Sequence, residues 1–254
     1  MQLRSIFLRA KYGDFDDNFF IAFIDNANFV CNFLSKRIRS FHISTDGTYN
    51  MINVNITNGP DSCQIKSVNS LYVDIHVTDE EIKSYLNTKR PELRYQYYLL
   101  LLEKGYRVAA KLKPIPIDIL LSLHDEFQRN GYVNERLFKK KQIKEFGIKV
   151  ILNHVMTSYD YNLMLYVYNI NNVLLGKGCI YRTLPDEILF DKNVRHLVVD
   201  DGKLIVTDFL DQPQFVCQLE DLSKGIVNAV CVDEHTKKYM PNEENKEKFE
   251  RLRW

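Results

Sequence analysis

The stretch RHLVVDDGKLIVTDF, Arg195 to Phe209, limits the fold of this chain more than any other. Two apolar runs flank Asp201-Gly202, and Asp-Gly between such runs is the strongest short-range signal for a β-hairpin. Lys203 then opens the second strand. Around this hairpin, IKVILNHVM, NLMLYVYN, NVLLGKGCIY, VRHLVV and KLIVTDF form short runs separated by turn residues, the spacing of an antiparallel meander or barrel-like sheet. Gly176-x-Gly178 inside one run predicts a bulge.

Upstream the pattern changes. Residues 1–77 read as β-rich, with a hairpin turn at Asp46-Gly47 followed by Ile52, Val54 and Ile56 alternating with Asn53 and Asn55. One helix interrupts them, with Asp25 or Asn26 as its cap and Val30, Phe33, Leu34 and Ile38 at helical spacing. Residues 78–147 read as mainly helical. TDEE, starting at Thr78, is a capping box, Pro91 opens a second helix that stops at Gly105, and YRVAAKLK alternates as a strand. PIDILLSLHDEFQRNG is strongly amphipathic, and NERLFKKKQIKEFG, with Val133 and Phe138 as a staple, completes a helical hairpin. Residues 148–235 form the antiparallel β part and 236–254 a charged tail, solvated or frayed. The expected fold is α+β, an antiparallel sheet or sheets with a helical section in mid-chain and a boundary near 77 or 147.

With 254 residues, 45% hydrophobic and 26% charged, the chain is long enough for one large core or two modest ones. The N-terminus lacks an apolar signal region, and no window approaches a membrane span, so a cytoplasmic protein without membrane partners is expected. Five cysteines without a C-x-x-C pair suit buried free thiols rather than a disulfide or zinc framework.

A net charge of +1 gives no whole-protein case for nucleic acid, but the charge is segregated. Lys89 to Lys149 carries 14 basic against 7 acidic residues, and Leu184 to His235 carries 4 against 11. No H-E-x-x-H, G-x-S-x-G, P-loop or G-x-G-x-x-G is present. His124 lies on the apolar stripe of its helix, His154 shares a strand face with Val150 and Leu152, and a Cys179–His196 dyad has no support from spacing. These observations favour a non-enzymatic protein-binding protein without a cofactor, of the immunity or antitoxin-like kind. Its acidic C-terminal surface, Asp200, Asp201, Asp208, Asp211, Glu220 and Asp221, would meet a basic partner such as a toxin domain.

Two alternatives stand beside it. LPDEILFDKNVRHLVVDDGK resembles the PD…(D/E)xK pattern of restriction-type, magnesium-dependent nucleases. The resemblance implies Asp186 and Asp201 as Mg²⁺ ligands and Lys203 as the helper. Against it, the Asp-Gly hairpin interrupts the single strand from which that pattern projects its residues. The other alternative is a nucleic-acid-binding accessory protein using the basic segment 89–149, with RYQYY to stack bases.

Overall fold

The computed structural model describes residues 1–66, 69–250 and 252, and the chain is α+β. It divides into two compact units, Met1–Asn134 and Glu135–Arg253, so the division falls inside the segment expected to be helical.

The first unit runs β1 (Ser5–Ala10), α1 (Asp17–Arg39), β2 (Met51–Thr57), β3 (Ser62–Lys66), β4 (Ser70–His76), α2 (Asp79–Asn87), α3 (Pro91–Ala109) and α4 (Ile117–Arg129). Its sheet has the order β1-β2-β4-β3, with β1, β2 and β4 parallel and only β3 antiparallel. A parallel neighbour needs a crossover, and α1 supplies the one between β1 and β2. Asp46-Gly47 does form a turn, with Gly47 at φ +87° and the Asp46 carboxylate accepting from Thr48 N at 2.9 Å. It does not join hairpin strands, because β2 pairs with β1 and β4 while Ser44 only bridges Gln2.

Helix α1 begins earlier than its apolar spacing suggests, at the N-cap Asp16, whose carboxylate accepts from Phe19 N. Asn26 lies inside the helix and donates to Ala22 O at 2.9 Å. The capping box at Thr78 and Glu81 is present. Gly105 does not stop α3, which runs on to Ala109 and takes the first half of the segment expected as a strand, the rest being turn; a Cβ at Gly105 would lie 2.5 Å from Val54 Cγ2. The glycine lets α3 press onto β2. Strand neighbours face opposite ways, so Ile52, Val54 and Ile56 are buried toward α3 while Asn53, Asn55 and Thr57 face away from it.

The second unit holds two four-stranded antiparallel sheets. The first contains β5 (Asn134–Ile143), β6 (Ile148–Met156), β7 (Tyr161–Asn169) and β8 (Leu174–Thr183), in chain order. The second has the order β12-β11-β10-β9, from β9 (His196–Asp200), β10 (Lys203–Thr207), β11 (Pro213–Gln218) and β12 (Ala229–Cys231). Short helices α5 (Glu187–Phe190), α6 (Leu219–Ser223), α7 (Glu234–Lys237) and α8 (Lys246–Glu250) connect and close it.

The expected helix at 134–147 is therefore a strand ending in a single 3₁₀ turn. Phe138 points into the core against His154 while Glu135, Leu137 and Lys139 are exposed, and pairing with β6 prevails over the staple signal. Inward residues of both sheets share one core, including Val150, Leu152, Leu163, Leu165, Tyr181, Leu204, Val206 and Phe215. The tail is not simply solvated, since Phe249 and Leu252 are buried and Arg182 lies over the Phe249 ring. Two register shifts mark the β7–β8 pairing, one of them beside Gly176, as the Gly-x-Gly spacing predicts.

Candidate functional site

The site is built on the second sheet of the second unit. Asp201 and Gly202 sit at φ +43° and +69°, the two positive values of a type I′ turn, so the Asp-Gly hairpin forms with a two-residue loop. That loop fixes the register Asp200↔Lys203, Val198↔Ile205 and His196↔Thr207. It also decides which residues face outward. Leu204, Val206, Phe215 and Cys217 belong to the core, with Leu197, Val199, Ala229 and Cys231 packed against it. Burial pushes the Cys217 thiol up to about 11, as for an inert core cysteine.

The alternate residues form the opposite face. Val198 pairs with Ile205, Ile205 with Val216, and Val216 with Val230, so one aliphatic row crosses all four strands. Ile205 and Val216 are half-buried, whereas Val198 is 39%, Val230 59% and Val232 45% exposed. An antiparallel sheet with one solvated face ordinarily alternates apolar and polar residues; this one is aliphatic on both sides. A shallow groove of about 400 Å³ runs beside the row, lined by Lys203, Val216, Gln218, Asp221, Val230 and Val232.

Acidic residues lie at both ends of the strands that the row crosses. Asp200 and Asp201 lie at the β9–β10 turn, and Glu220 and Asp221 lie just beyond β11 at the same end. Asp208 and Asp211 lie in the β10–β11 turn at the other end. Their tasks differ. The Asp208 carboxylate accepts from Leu210 N and Gln212 N, each at 2.8 Å, and so shapes the turn. Asp211 faces His196 at 3.7 Å, and Asp201 meets Lys203 at 3.3 Å. Glu220 is ion-paired with Lys224 at 2.7 Å, and that hydrogen bond and charge lower its pKa. Asp221 lines the groove itself. Phe209 and Leu210, at the tip of the β10–β11 turn, are 54% and 62% exposed.

Of the residues matching the nuclease pattern, Asp201 and Lys203 are brought together across the turn. Asp186 acts as the N-cap of α5, its carboxylate accepting from Ile188 N at 3.0 Å. Among the described residues, no group of three His, Cys, Asp or Glu side chains is placed to hold a metal ion. Cys179 Sγ lies against Asn162 Oδ1 and Tyr181 O, while His196 faces Asp211. His154 is buried, with Nδ1 at 2.6 Å from Tyr161 OH.

The aliphatic row was not singled out from the sequence, although a signal for it exists. HLVV, KLIV and FVC are consecutive rather than alternating apolar runs, the mark of a strand apolar on both faces. No helix of the described residues is long and apolar enough to cross a membrane. Comparison with family models, with curated proteins and with solved structures finds no match.

Proposed function

We propose that this chain is a non-enzymatic protein-binding protein that docks its partner on the outer face of the β9–β12 sheet. The row Val198, Ile205, Val216 and Val230, flanked by acidic residues at the strand ends, supports this reading. An apolar centre inside a charged rim is the anatomy of a specific interface, where the centre contributes affinity and the rim contributes selectivity and encounter rate. The partner is then a protein with an apolar patch inside a basic surface. A toxin domain whose nucleic-acid-facing surface is basic fits that description, and the chain would act as an intracellular, bacterial immunity or antitoxin-like protein.

The test is differential capture from lysate by the purified chain and by two surface variants, Val230→Lys and Asp221→Lys, each checked for folding by circular dichroism. The expected result is a basic protein retained by the parent, released by salt and lost from both variants. A partner retained equally by all three proteins would reject this face as the docking site.

A further inference from the structure

We propose that the first unit binds single-stranded nucleic acid on the face of its sheet opposite α3. This surface belongs to different strands from the acidic face of the second unit.

The pairing register lays residues out in rows across the four strands. One row is Phe7, Asn53, Tyr72 and Gln64, and the next is Arg9, Asn55, Asp74 and Ser62. All face away from α3, because Val54 faces toward it. Two half-buried aromatic rings therefore flank a central amide. Each ring has a cation over it: Arg9 lies 5.1 Å from the Phe7 centroid, and Lys66 Nζ lies 4.6 Å from that of Tyr72. Arg9, Gln64 and Lys66 are exposed.

Asn53 singles the row out. It is 3% exposed, and its Nδ2 is buried without a hydrogen-bond partner. A buried donor left unmade is unfavourable, and a leucine of similar volume would avoid the cost. Its neighbour Asn55 shows how such an amide is ordinarily satisfied, donating to Asp74 Oδ1 at 3.0 Å. Asp74 is the one carboxylate in the two rows, and Lys11 and Ser62 also bond it, at 2.9 and 3.3 Å. Its charge is met locally, which leaves Arg9 and Lys66 to set the electrostatic character of the row around Asn53.

Aromatic rings, a donor between them and cations at both edges match one ligand chemistry. As Arg9 and Lys66 swing off the rings to meet phosphates, bases of an unpaired strand stack in their place, and the Asn53 amide, uncovered by that movement, donates to a base carbonyl. A duplex hides its base faces and would not be read this way.

The experiment is fluorescence anisotropy of a labelled uridine dodecamer with the full chain at 50 and 200 mM salt. Uridine monophosphate and a 12-base-pair duplex serve as competitors. The proposal expects binding that neither competitor matches, weakened roughly 10- to 100-fold by Tyr72→Ala and largely retained by Tyr72→Trp. Lys66→Gln, at an exposed position, should reduce the slope of log affinity against log salt by about 0.7. Asn53→Leu should weaken binding while leaving the protein as stable or more so; an amide kept only for structure would lower stability instead. No binding at 50 mM salt, affinity unchanged in Tyr72→Ala and Lys66→Gln, or equal competition by monophosphate or duplex would overturn the proposal. Binding lost only on neutralising Lys139, Lys140 and Lys141 would also overturn it, by moving the site to β5.

Discussion

Gly176 on β8 and Gly225, just after α6, meet backbone to backbone. A Cβ on Gly176 would fall within the Gly225 carbonyl, and one on Gly225, which sits at φ +78°, would fall within the Leu175 carbonyl. Two residues along, a Cβ on Gly178 would lie 2.7 Å from Val227 Cγ1 and 2.9 Å from its Cβ, with the Val227 carbonyl oxygen at an ordinary 3.5 Å. At Gly178 rotation of Val227 can carry Cγ1 aside and a shift of a few tenths of an ångström relieves its Cβ, whereas at Gly176 a carbonyl 1.9 Å away would have to move by more than an ångström. Gly176→Ala should therefore lower unfolding free energy by about 3 kcal/mol or more, and Gly178→Ala by about 1 kcal/mol. Urea titration of both variants checks the order, and equal costs would contradict the close approach.

His124 predicts an acid-sensitive first unit. It is 5% exposed, its ring packs 5.6 Å from that of Tyr106, and its Nε2 has no partner. Burial pushes its pKa down to about 4 from the ordinary 6.5, with Glu103 and Asp125 pulling weakly upward. The unfolded chain then binds the proton more readily than the folded one, so this contribution is complete above pH 6.5 and is lost as pH falls from 6.5 toward 4. The loss amounts to about 3 kcal/mol. Stability measured between pH 7.5 and 5 should decline in the parent and decline less in His124→Leu; parallel curves would show that the ring does not titrate on unfolding.

Ser35 protects an open sheet edge. Its hydroxyl accepts from Ile6 N at 2.9 Å and donates to Ile6 O at 3.1 Å, using both backbone groups that the edge strand β1 turns away from β2. Ser35→Ala strands a buried donor and acceptor together and should cost about 2 kcal/mol. The Ile6 amide should also exchange its hydrogen faster. Unchanged protection at Ile6 would mean that another group takes over the edge.

The β9–β10 turn separates two tasks for neighbouring residues. Gly202→Ala places a side chain at φ +69° and should cost about 1 kcal/mol. Asp201→Asn keeps a residue tolerant of positive φ and should leave stability unchanged within about 0.5 kcal/mol. Calorimetric titration of the parent and Asp201→Asn with Mg²⁺ tests the nuclease alternative directly. Absence of binding heat in both is the expected result, and heat lost in the variant would support a metal role for Asp201.

Local chemistry was legible wherever its cause was local. The Thr78–Glu81 capping box, Pro91 at the start of α3 and the Asp201-Gly202 turn all form as read. The β runs beyond 148 also form, because residues such as Val150, Leu152 and His154 alternate with half-exposed ones along β6. The misreadings share one origin. Gly105 carries the mark of a helix end, yet it is interior because Val54 of β2 needs the space of its Cβ. Residues 134–143 carry helix-start signals, yet they pair with β6, and Phe138 finds its place against His154. The acidic candidates were legible as charges; their separate tasks, Asp208 in a turn and Asp221 in a groove, were not.

By itself the sequence determined the element type where capping, turn chemistry and strand alternation agree, because those energies act between residues a few positions apart. Only the tertiary structure decided that β1, β2 and β4 run parallel, and that Phe7, Asn53 and Tyr72 share a row. It also decided that Val198, Ile205, Val216 and Val230 line up on an outer face. Such rows are set by strand order and register, and these follow from which apolar faces find each other across the chain.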